Sequence, residues 1–157
     1  MAKTNLHDKY DQHMQSPWLD NLRRGWIHDG ELQKWLDNGV RGITSNPSIF
    51  QNAIEGSEDY NEQFSLLLAD GMSVVDSYWG LVITDINDAL ALTRPIFDES
   101  NGLDGYVSVE VDPGLARNCK GTEDAARELW DRIDAPNVYI KITATAEGVP
   151  ALSLIHI

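Results

Sequence analysis

Apolar and polar positions recur along this chain with two different periods, which predict short strands separated by helices. Helical spacing, with apolar residues three and four positions apart, marks the longer stretches 30–39, 47–56, 57–100 and 122–133. Strand-like runs, which are short and apolar or alternate between apolar and polar residues, cover 16–20, 40–46, 106–113 and 137–144. Because strands that are separated by helices pair through crossovers and not through hairpins, this order predicts an α/β fold with a parallel sheet.

Residues that begin or end helices refine these boundaries. Gly39 follows the last apolar position of the first helix, where glycine is favoured, and Pro47 stands at the first position of the next helix. Thr122 has a hydroxyl group and acidic neighbours, so it is predicted to cap the helix that follows it. Gly71 and Gly80 fall inside the longest helical stretch, where we therefore expect at least two helices.

Each predicted strand has an apolar face and a polar face, since successive side chains point to opposite sides. In the third strand, for example, three valines face one way, and the opposite face carries Ser108, Glu110 and Asp112. An inner strand of a doubly wound sheet is apolar on both faces, whereas (β/α)8 enzymes place catalytic groups at the carboxyl ends of their strands. The pattern therefore favours part of a (β/α)8 barrel, with one candidate site residue near the end of each strand: Asp20, Asn46, Glu110 and Lys141.

Each of the four candidates also has a purely structural interpretation. A lysine such as Lys141 often protects a sheet edge from aggregation, and Glu110 fits the role of its ion-pair partner. Asp20 is suited to cap a helix, and Asn46, which precedes a proline, is a common turn residue. What favours a catalytic site is that all four residues fall on one face, at one end of the strands.

The chemistry of Lys141 favours a reaction at a carbonyl group. It lies between Ile140 and Ile142, and burial of an ammonium group favours the neutral amine, which is a nucleophile toward carbonyl carbons. The histidines of the N-terminal region have no spacing with carboxylates that indicates a metal site, and the chain has no glycine-rich phosphate loop.

Charge and composition narrow the classes of function. The chain has 12 Lys and Arg against 25 Asp and Glu, a net charge of −13, which argues against binding to nucleic acid or to an anionic membrane surface. It has no apolar run near the roughly 18 residues of a membrane span, no apolar secretory segment at its N-terminus and a single cysteine, Cys119. We therefore expect a cytoplasmic protein, in which an anionic substrate needs local donors to offset the overall charge.

Two segments contain the candidates Asn46 and Lys141, namely GITSNPSIF (42–50) and NVYIKITATAEGVPAL (137–152). They resemble two signatures of the transaldolase family, its Thr-Ser-Asn-Pro-Ser motif and the segment around its imine-forming lysine. WLDNLRR (18–24) and SVEVDP (108–113) also match in kind and order, so the resemblance covers essentially the whole chain. It is strongest toward the longer bacterial transaldolases, including those fused to a glucose-6-phosphate isomerase. One departure is Thr143, where many members have proline.

The resemblance implies a (β/α)8 barrel, of which this chain forms the N-terminal half. It also implies transfer of a dihydroxyacetone unit from sedoheptulose 7-phosphate or fructose 6-phosphate to an aldose phosphate, in the pentose phosphate pathway. Lys141 matches the lysine that forms the imine, and Asp20 matches the acid–base that takes the C4 hydroxyl proton as the C3–C4 bond breaks. Glu110 matches the carboxylate that acts through a water in imine formation, and Asn46 the residue that hydrogen-bonds the intermediate.

A protonated imine accepts electrons itself, so neither a metal nor an organic cofactor is expected. Two carboxylates in different surroundings are able to divide the proton transfers between them. The expected partners are the sugar phosphates, and the oligomeric state stays open.

The length predicts an incomplete domain. A closed (β/α)8 barrel needs roughly 250 residues, and this chain has 157. We therefore expect residues 1–151 to be an incomplete barrel domain without the family's phosphate-binding basic residues, and residues 152–157, LSLIHI, to derive from a sequencing adaptor. The chain alone is then expected to be inactive. Two alternatives stay open, namely another imine-forming aldolase on the same barrel and a half-barrel module without catalytic activity.

Overall fold

The computed structural model of this chain describes residues 3–155, in which helices alternate with short strands. The strands are β1 (Trp18–Leu19), β2 (Gly42–Thr44), β3 (Val107–Glu110) and β4 (Val138–Lys141). The helices are α1 (Asn5–His13), α2 (Arg24–His28), α3 (Glu31–Asp37), α4 (Pro47–Glu55), α5 (Asn61–Ala69), α6 (Val74–Glu99), α7 (Cys119–Ile133) and α8 (Gly148–Ile155). Two short 3₁₀ helices cover Glu58–Tyr60 and Pro113–Leu115.

The four strands form one parallel sheet in the order β1-β2-β3-β4. Ile43 of β2 is central to the register, since it is level with Leu19 on one side and with Val107 on the other. Val107 is in turn level with Val138 of β4. Parallel strands that follow one another in chain order, with helices between them, are the architecture of half a (β/α)8 barrel. The predicted fold class is confirmed, and β1 and β4 are the outer strands.

The apolar faces of the strands pack against the long helix α6. Val107, Val109 and Val138 belong to one buried cluster with Val82 and Ile86 of α6, and each of the five is at most 2% exposed. Full burial of such a side chain contributes about 1.5–3 kcal/mol. The predicted apolar, helix-facing side is therefore confirmed for β3 and β4.

Helix α6 runs without interruption for 26 residues, so the predicted break at Gly80 is wrong. Gly80 instead permits close packing with α5, because a Cβ at this position would lie 2.9 Å from Leu67 Cδ1. Gly71, with a φ of +84°, does separate α5 from α6, as predicted. Among residues 3–155, no helix, α6 included, is both long enough and apolar enough to cross a membrane.

Two helix starts differ from the predictions because local hydrogen bonds decide them. Helix α7 begins at Cys119, since the Asn118 side chain accepts from the backbone N–H three residues ahead at 3.0 Å. Thr122 is therefore not the cap, and its buried hydroxyl donates to the Leu115 carbonyl at 2.9 Å. The sequence pattern does not predict α1, which starts with a capping box at Thr4.

A buried polar network joins the segment after β1 to α6. Asp85 Oδ1 accepts from Arg24 Nε at 2.7 Å, and Asp85 Oδ2 accepts from the Tyr60 hydroxyl at 2.8 Å. The Tyr60 oxygen in turn accepts from the Arg24 backbone N–H at 3.1 Å, and none of the three residues is more than 5% exposed. Because Arg24 begins α2 four residues after Asp20, this network fixes the segment that carries Asp20.

The charge of Asp85 depends on its two partners. Burial raises the pKa of Asp85, while the hydrogen bonds from Arg24 and Tyr60 act in the opposite direction. Burial and the nearby carboxylate raise the pKa of Tyr60, so that its hydroxyl stays protonated and able to donate. The three residues thus satisfy one another's hydrogen-bonding groups at a site that is shielded from water.

Helix α8 extends across the predicted domain boundary after residue 151. Residues 152–155 continue the helix, where the Leu154 carbonyl accepts from Arg127 at 3.1 Å. Ile155 packs beside the buried cluster that includes Val111 and Leu129. The foreign origin of residues 152–157 stays a prediction, and residues 156 and 157 lie outside the described residues.

Candidate active site

The four candidate residues lie at the same edge of the sheet. Lys141 and Glu110 are the last residues of β4 and β3, and they are level with each other in the register. Asp20 directly follows β1, and Asn46 comes two residues after the end of β2. Because the strands are parallel, this edge consists of their carboxyl ends, where (β/α)8 enzymes hold their catalytic groups.

Lys141 makes most of the polar contacts at this edge. Its Nζ lies 3.3 Å from Glu110 Oε2 in an ion pair, and it donates to the Ser45 carbonyl oxygen at 2.9 Å. A longer contact of 3.5 Å joins Nζ to Thr44 Oγ1. Although β4 is an outer strand, the amine points inward across β3 to β2. A lysine that only protects a sheet edge would instead extend along that edge into solvent.

The amine of Lys141 is not buried by its neighbours in the sequence, contrary to expectation. Its side chain is 39% exposed, and that of Glu110 is 21% exposed. Ile140 and Ile142 pack on the helix side of the sheet, against the cluster that contains Leu129. Adjacent residues of a strand face opposite ways, so apolar flanks in the sequence do not surround the amine in space.

Hydroxyl groups connect the strands beneath Lys141, and the sequence analysis did not select them as candidates. Ser108 Oγ donates to Thr44 Oγ1 at 2.9 Å, which links β3 to β2. Ser45 Oγ donates to the Ser108 carbonyl oxygen at 2.6 Å. A signal was available, because Thr44 and Ser108 each lie two residues before a candidate, on the same polar face.

Asn46 has a structural role at the start of α4. Its Oδ1 accepts from the Ile49 backbone N–H at 2.9 Å, so it is the N-cap of that helix. Its Nδ2 makes no hydrogen bond to any described residue and is able to donate to a bound molecule. Capping of the helix and binding through the amide nitrogen are therefore compatible.

Asp20 is exposed at the carboxyl end of β1. The interpretation of Asp20 as a helix cap is wrong, because α2 starts at Arg24 with Arg23 in the capping position. Within residues 3–155, Asp20 has no hydrogen bond or ion pair. The described contacts thus bring Lys141 and Glu110 together, and they join neither Asp20 nor Asn46 to that pair.

Aromatic rings lie on the polar face toward the amino ends of the strands. Tyr106 and Tyr139 stack with their ring centres 4.0 Å apart, and Trp18 stacks on Tyr139 at 6.2 Å. Trp18 lies across Gly42, where a Cβ would come within 2.3 Å of the indole ring. These rings form an apolar layer beneath the polar residues, and Gly42 is required for the layer to lie flat against β2.

A separate groove of about 430 Å³ lies between α4 and α6, lined in part by Pro47, Tyr78, Trp79 and Asp112. Burial, and to a lesser extent the charge of Asp112, raises the pKa of Tyr78. The lining contains none of the four candidate residues, so this groove is distinct from the candidate site.

Comparison with known proteins gives consistent matches over most of the chain. The family model described as Transaldolase/Fructose-6-phosphate aldolase matches residues 17–156. The chain is 49% identical over 138 residues to Transaldolase of Thiobacillus denitrificans, which covers 87% of the chain and 38% of that relative. Transaldolase of a Parafrankia species is 45% identical over 137 residues, covering 87% and 37%. Transaldolase 2 of Nostoc punctiforme is 41% identical over 150 residues, covering 95% and 39%.

The chain spans less than two fifths of the length of these relatives. The segment that matches the family model contains all four strands, the four candidate residues and the hydroxyl groups beneath Lys141. The extent of this match and the identity to several relatives agree with the parallel half-barrel and with the motifs around Asn46 and Lys141. The chain therefore belongs to the transaldolase/fructose-6-phosphate aldolase family.

Proposed function

We propose that the full-length protein that carries these residues is a transaldolase and that Lys141 forms an imine with its substrate. The observation that carries the proposal is the Lys141 amine, held between Glu110 at 3.3 Å and the Ser45 carbonyl at 2.9 Å. Family membership supports this class of reaction. The donor is fructose 6-phosphate or sedoheptulose 7-phosphate, the acceptor is an aldose phosphate, and the reaction belongs to the cytoplasmic pentose phosphate pathway.

The first step joins the substrate to Lys141. The lone pair of the neutral amine attacks the C2 carbonyl carbon of the ketose, and a C–N bond forms as the nitrogen loses a proton and the carbonyl oxygen takes one up, which gives a carbinolamine. This oxygen then takes up a second proton and leaves as water, while the nitrogen lone pair forms the protonated imine. Glu110, whose Oε2 lies 3.3 Å from Nζ, moves these protons through a bound water.

Carbon–carbon cleavage follows because the protonated imine accepts electrons. Asp20 takes the proton of the C4 hydroxyl, the C3–C4 bond breaks, and its electron pair moves into the imine to give an enamine as the aldose leaves. Asn46 donates from Nδ2 to a hydroxyl of the bound intermediate, while its Oδ1 keeps α4 in place.

Transfer reverses these events with a different aldose phosphate. The enamine attacks the carbonyl carbon of the acceptor, Asp20 returns its proton to the new hydroxyl, and water hydrolyses the imine to release the product. The net charge of −13 repels both sugar phosphates, so their phosphate groups need local cationic donors. We place those donors in parts of the full-length protein beyond these residues.

Borohydride trapping tests the proposed function. Borohydride reduces a protonated imine to a stable amine, so incubation of the full-length protein with fructose 6-phosphate should add mass to the peptide that contains Lys141. Lys141→Arg is the matched control, because it keeps a cation opposite Glu110 and forms no imine. Exposed Lys120 serves as an internal control and should stay unlabelled. Labelling of Lys120 or Lys34 with Lys141 unmodified would contradict the assignment.

A fructose 6-phosphate aldolase is the second candidate, because the description of the matching family names that activity as well. Both reactions pass through the imine and the enamine, and they differ in how the enamine then reacts. An aldolase protonates the enamine and releases free dihydroxyacetone, whereas a transaldolase passes the unit to an aldose phosphate. Release of dihydroxyacetone without an acceptor would identify the aldolase, and dependence on added erythrose 4-phosphate would identify transfer.

A further inference from the structure

We propose that Ser45 is a positioning residue for Lys141, an inference that rests on the proposed imine mechanism. Ser45 is completely buried directly after the end of β2, and by alternation it shares the face of Ile43. Its hydroxyl donates to the Ser108 carbonyl oxygen at 2.6 Å, and its own carbonyl oxygen accepts from Lys141 Nζ at 2.9 Å. One residue therefore bonds to β3 through its side chain and to the amine through its backbone.

The place of Ser45 in the chain explains why this side-chain bond matters. Thr44 and Ser108 are the last residues of β2 and β3 that are level with each other in the ladder, and Pro47 already begins α4. Between Thr44 and Pro47, the backbone that follows β2 turns away from the sheet. The Ser45 hydroxyl thus ties the turn to β3 where ladder pairing has ended, and this bond fixes the direction of the Ser45 carbonyl.

A fixed carbonyl at this point sets the orientation of the Lys141 amine. The Ser45 carbonyl oxygen accepts a hydrogen bond from the amine, while Glu110 Oε2 lies beside the amine in an ion pair at 3.3 Å. The hydrogen bond to Ser45 therefore restricts the directions in which the lone pair of the neutral amine can point. Nucleophilic attack depends steeply on such alignment, so a carbonyl that is free to tilt lowers the rate of imine formation. Ser45 itself touches neither substrate nor intermediate in this arrangement.

Ser45→Ala in the full-length protein tests this inference, with Ser77→Ala as the matched control. Ser77 is also completely buried, and among the described residues its Oγ has no hydrogen-bond partner. The measurements are the rate of borohydride trapping at Lys141, kcat and KM separately, and the urea midpoint of unfolding. We expect Ser45→Ala to lower the trapping rate and kcat about tenfold, with a smaller change in KM, since alignment is lost and binding is kept. Ser77→Ala should leave both rates unchanged.

Ser45→Cys keeps the inference falsifiable if the alanine variant fails to fold. The thiol is larger than the hydroxyl and is a weaker donor, so the trapping rate of this variant should lie between those of the wild type and the alanine variant. Trapping rates in folded Ser45→Ala or Ser45→Cys that equal that of Ser77→Ala would overturn the positioning role. Absence of trapping at Lys141 in the wild-type protein would instead overturn the proposed function, so the two failures are distinguishable.

Discussion

Replacement of Tyr60 by phenylalanine tests how far the buried network around Asp85 stabilises the fold. The substitution removes one hydroxyl, which donates to Asp85 Oδ2 at 2.8 Å and accepts from the Arg24 backbone N–H at 3.1 Å. The ring is kept, including its place 4.4 Å from the Arg24 guanidinium carbon. Any change in stability is therefore due to the two hydrogen bonds and not to altered packing.

The expected loss follows from the partners of the hydroxyl. A hydrogen bond to a charged group contributes about 1.5–3 kcal/mol, and leaving the buried Arg24 N–H unpaired costs about 1–3 kcal/mol. The two terms overlap, because both belong to one network, so we expect Tyr60→Phe to lose about 3 kcal/mol. That is a large share of the total of about 5–15 kcal/mol that is typical of a folded domain.

The loss should also depend on pH. The Tyr60 hydroxyl favours the ionised form of Asp85, whose pKa burial raises above its usual value of 3.8. Without the hydroxyl, this pKa rises further and the folded protein binds a proton more readily. The deficit of the variant is therefore complete above the pKa of Asp85 in the variant, and it shrinks as the pH falls from there to the lower pKa of Asp85 in the wild type.

Urea unfolding of the 157-residue chain, followed by tryptophan fluorescence, measures the loss at each pH. Tyr78→Phe is the matched control, because it makes the same chemical change at a partly buried tyrosine for which no hydrogen bond is described. We expect Tyr78→Phe to shift the free energy of unfolding by less than about 0.5 kcal/mol. Equal free energies of unfolding for the two variants would refute a stabilising role for the network.

Three further predictions concern the proposed catalyst and the backbone. Asp20→Asn in the full-length protein should keep borohydride trapping at Lys141 and lose transfer about 10²–10⁴-fold, measured by a coupled assay, because only bond cleavage needs the carboxylate. The 157-residue chain alone should show no transfer from fructose 6-phosphate to erythrose 4-phosphate, since lost substrate orientation forfeits about 7–11 kcal/mol; turnover within tenfold of a full-length relative would contradict this. Gly105→Ala should destabilise the chain by at least about 2 kcal/mol more than Gly30→Ala in urea unfolding. Both glycines have a φ of +79°, but only at Gly105 would a Cβ meet backbone, 2.3 Å from Phe97 N.

The strands and their parallel pairing could be predicted because both follow from local patterns along the chain. The three valines of β3 alternate with polar residues, and the helices between strands exclude hairpins. The same alternation placed Lys141 and Glu110 on one face, where they form an ion pair. Sequence neighbours gave the wrong expectation for the burial of Lys141, because Ile140 and Ile142 belong to the opposite face.

Long-range polar contacts could not be predicted, because the sequence around each partner does not indicate that the residue is buried or which residue it contacts. Arg24 and Asp85 are 61 positions apart in the sequence, and both lie in helices where a charged residue is usually exposed. Ser45 is an ordinary small polar residue in the sequence, and only the path of β3 beside it supplies its partner, the Ser108 carbonyl. Such contacts arise when elements meet, so they require the assembled fold.

The candidate site consists of two parts that the fold supports separately. Ser45, Glu110 and Lys141 are joined by contacts across β2, β3 and β4. Asp20 has no described contact with them, and its segment is fixed through Arg24 and the network on α6. In the proposed mechanism, imine formation and bond cleavage therefore depend on different parts of the fold, so damage to one part should leave the other step intact. Weakening the Ser45 anchor should slow attachment of the substrate, while weakening the Arg24 network should displace Asp20 and slow cleavage of a substrate that is already attached.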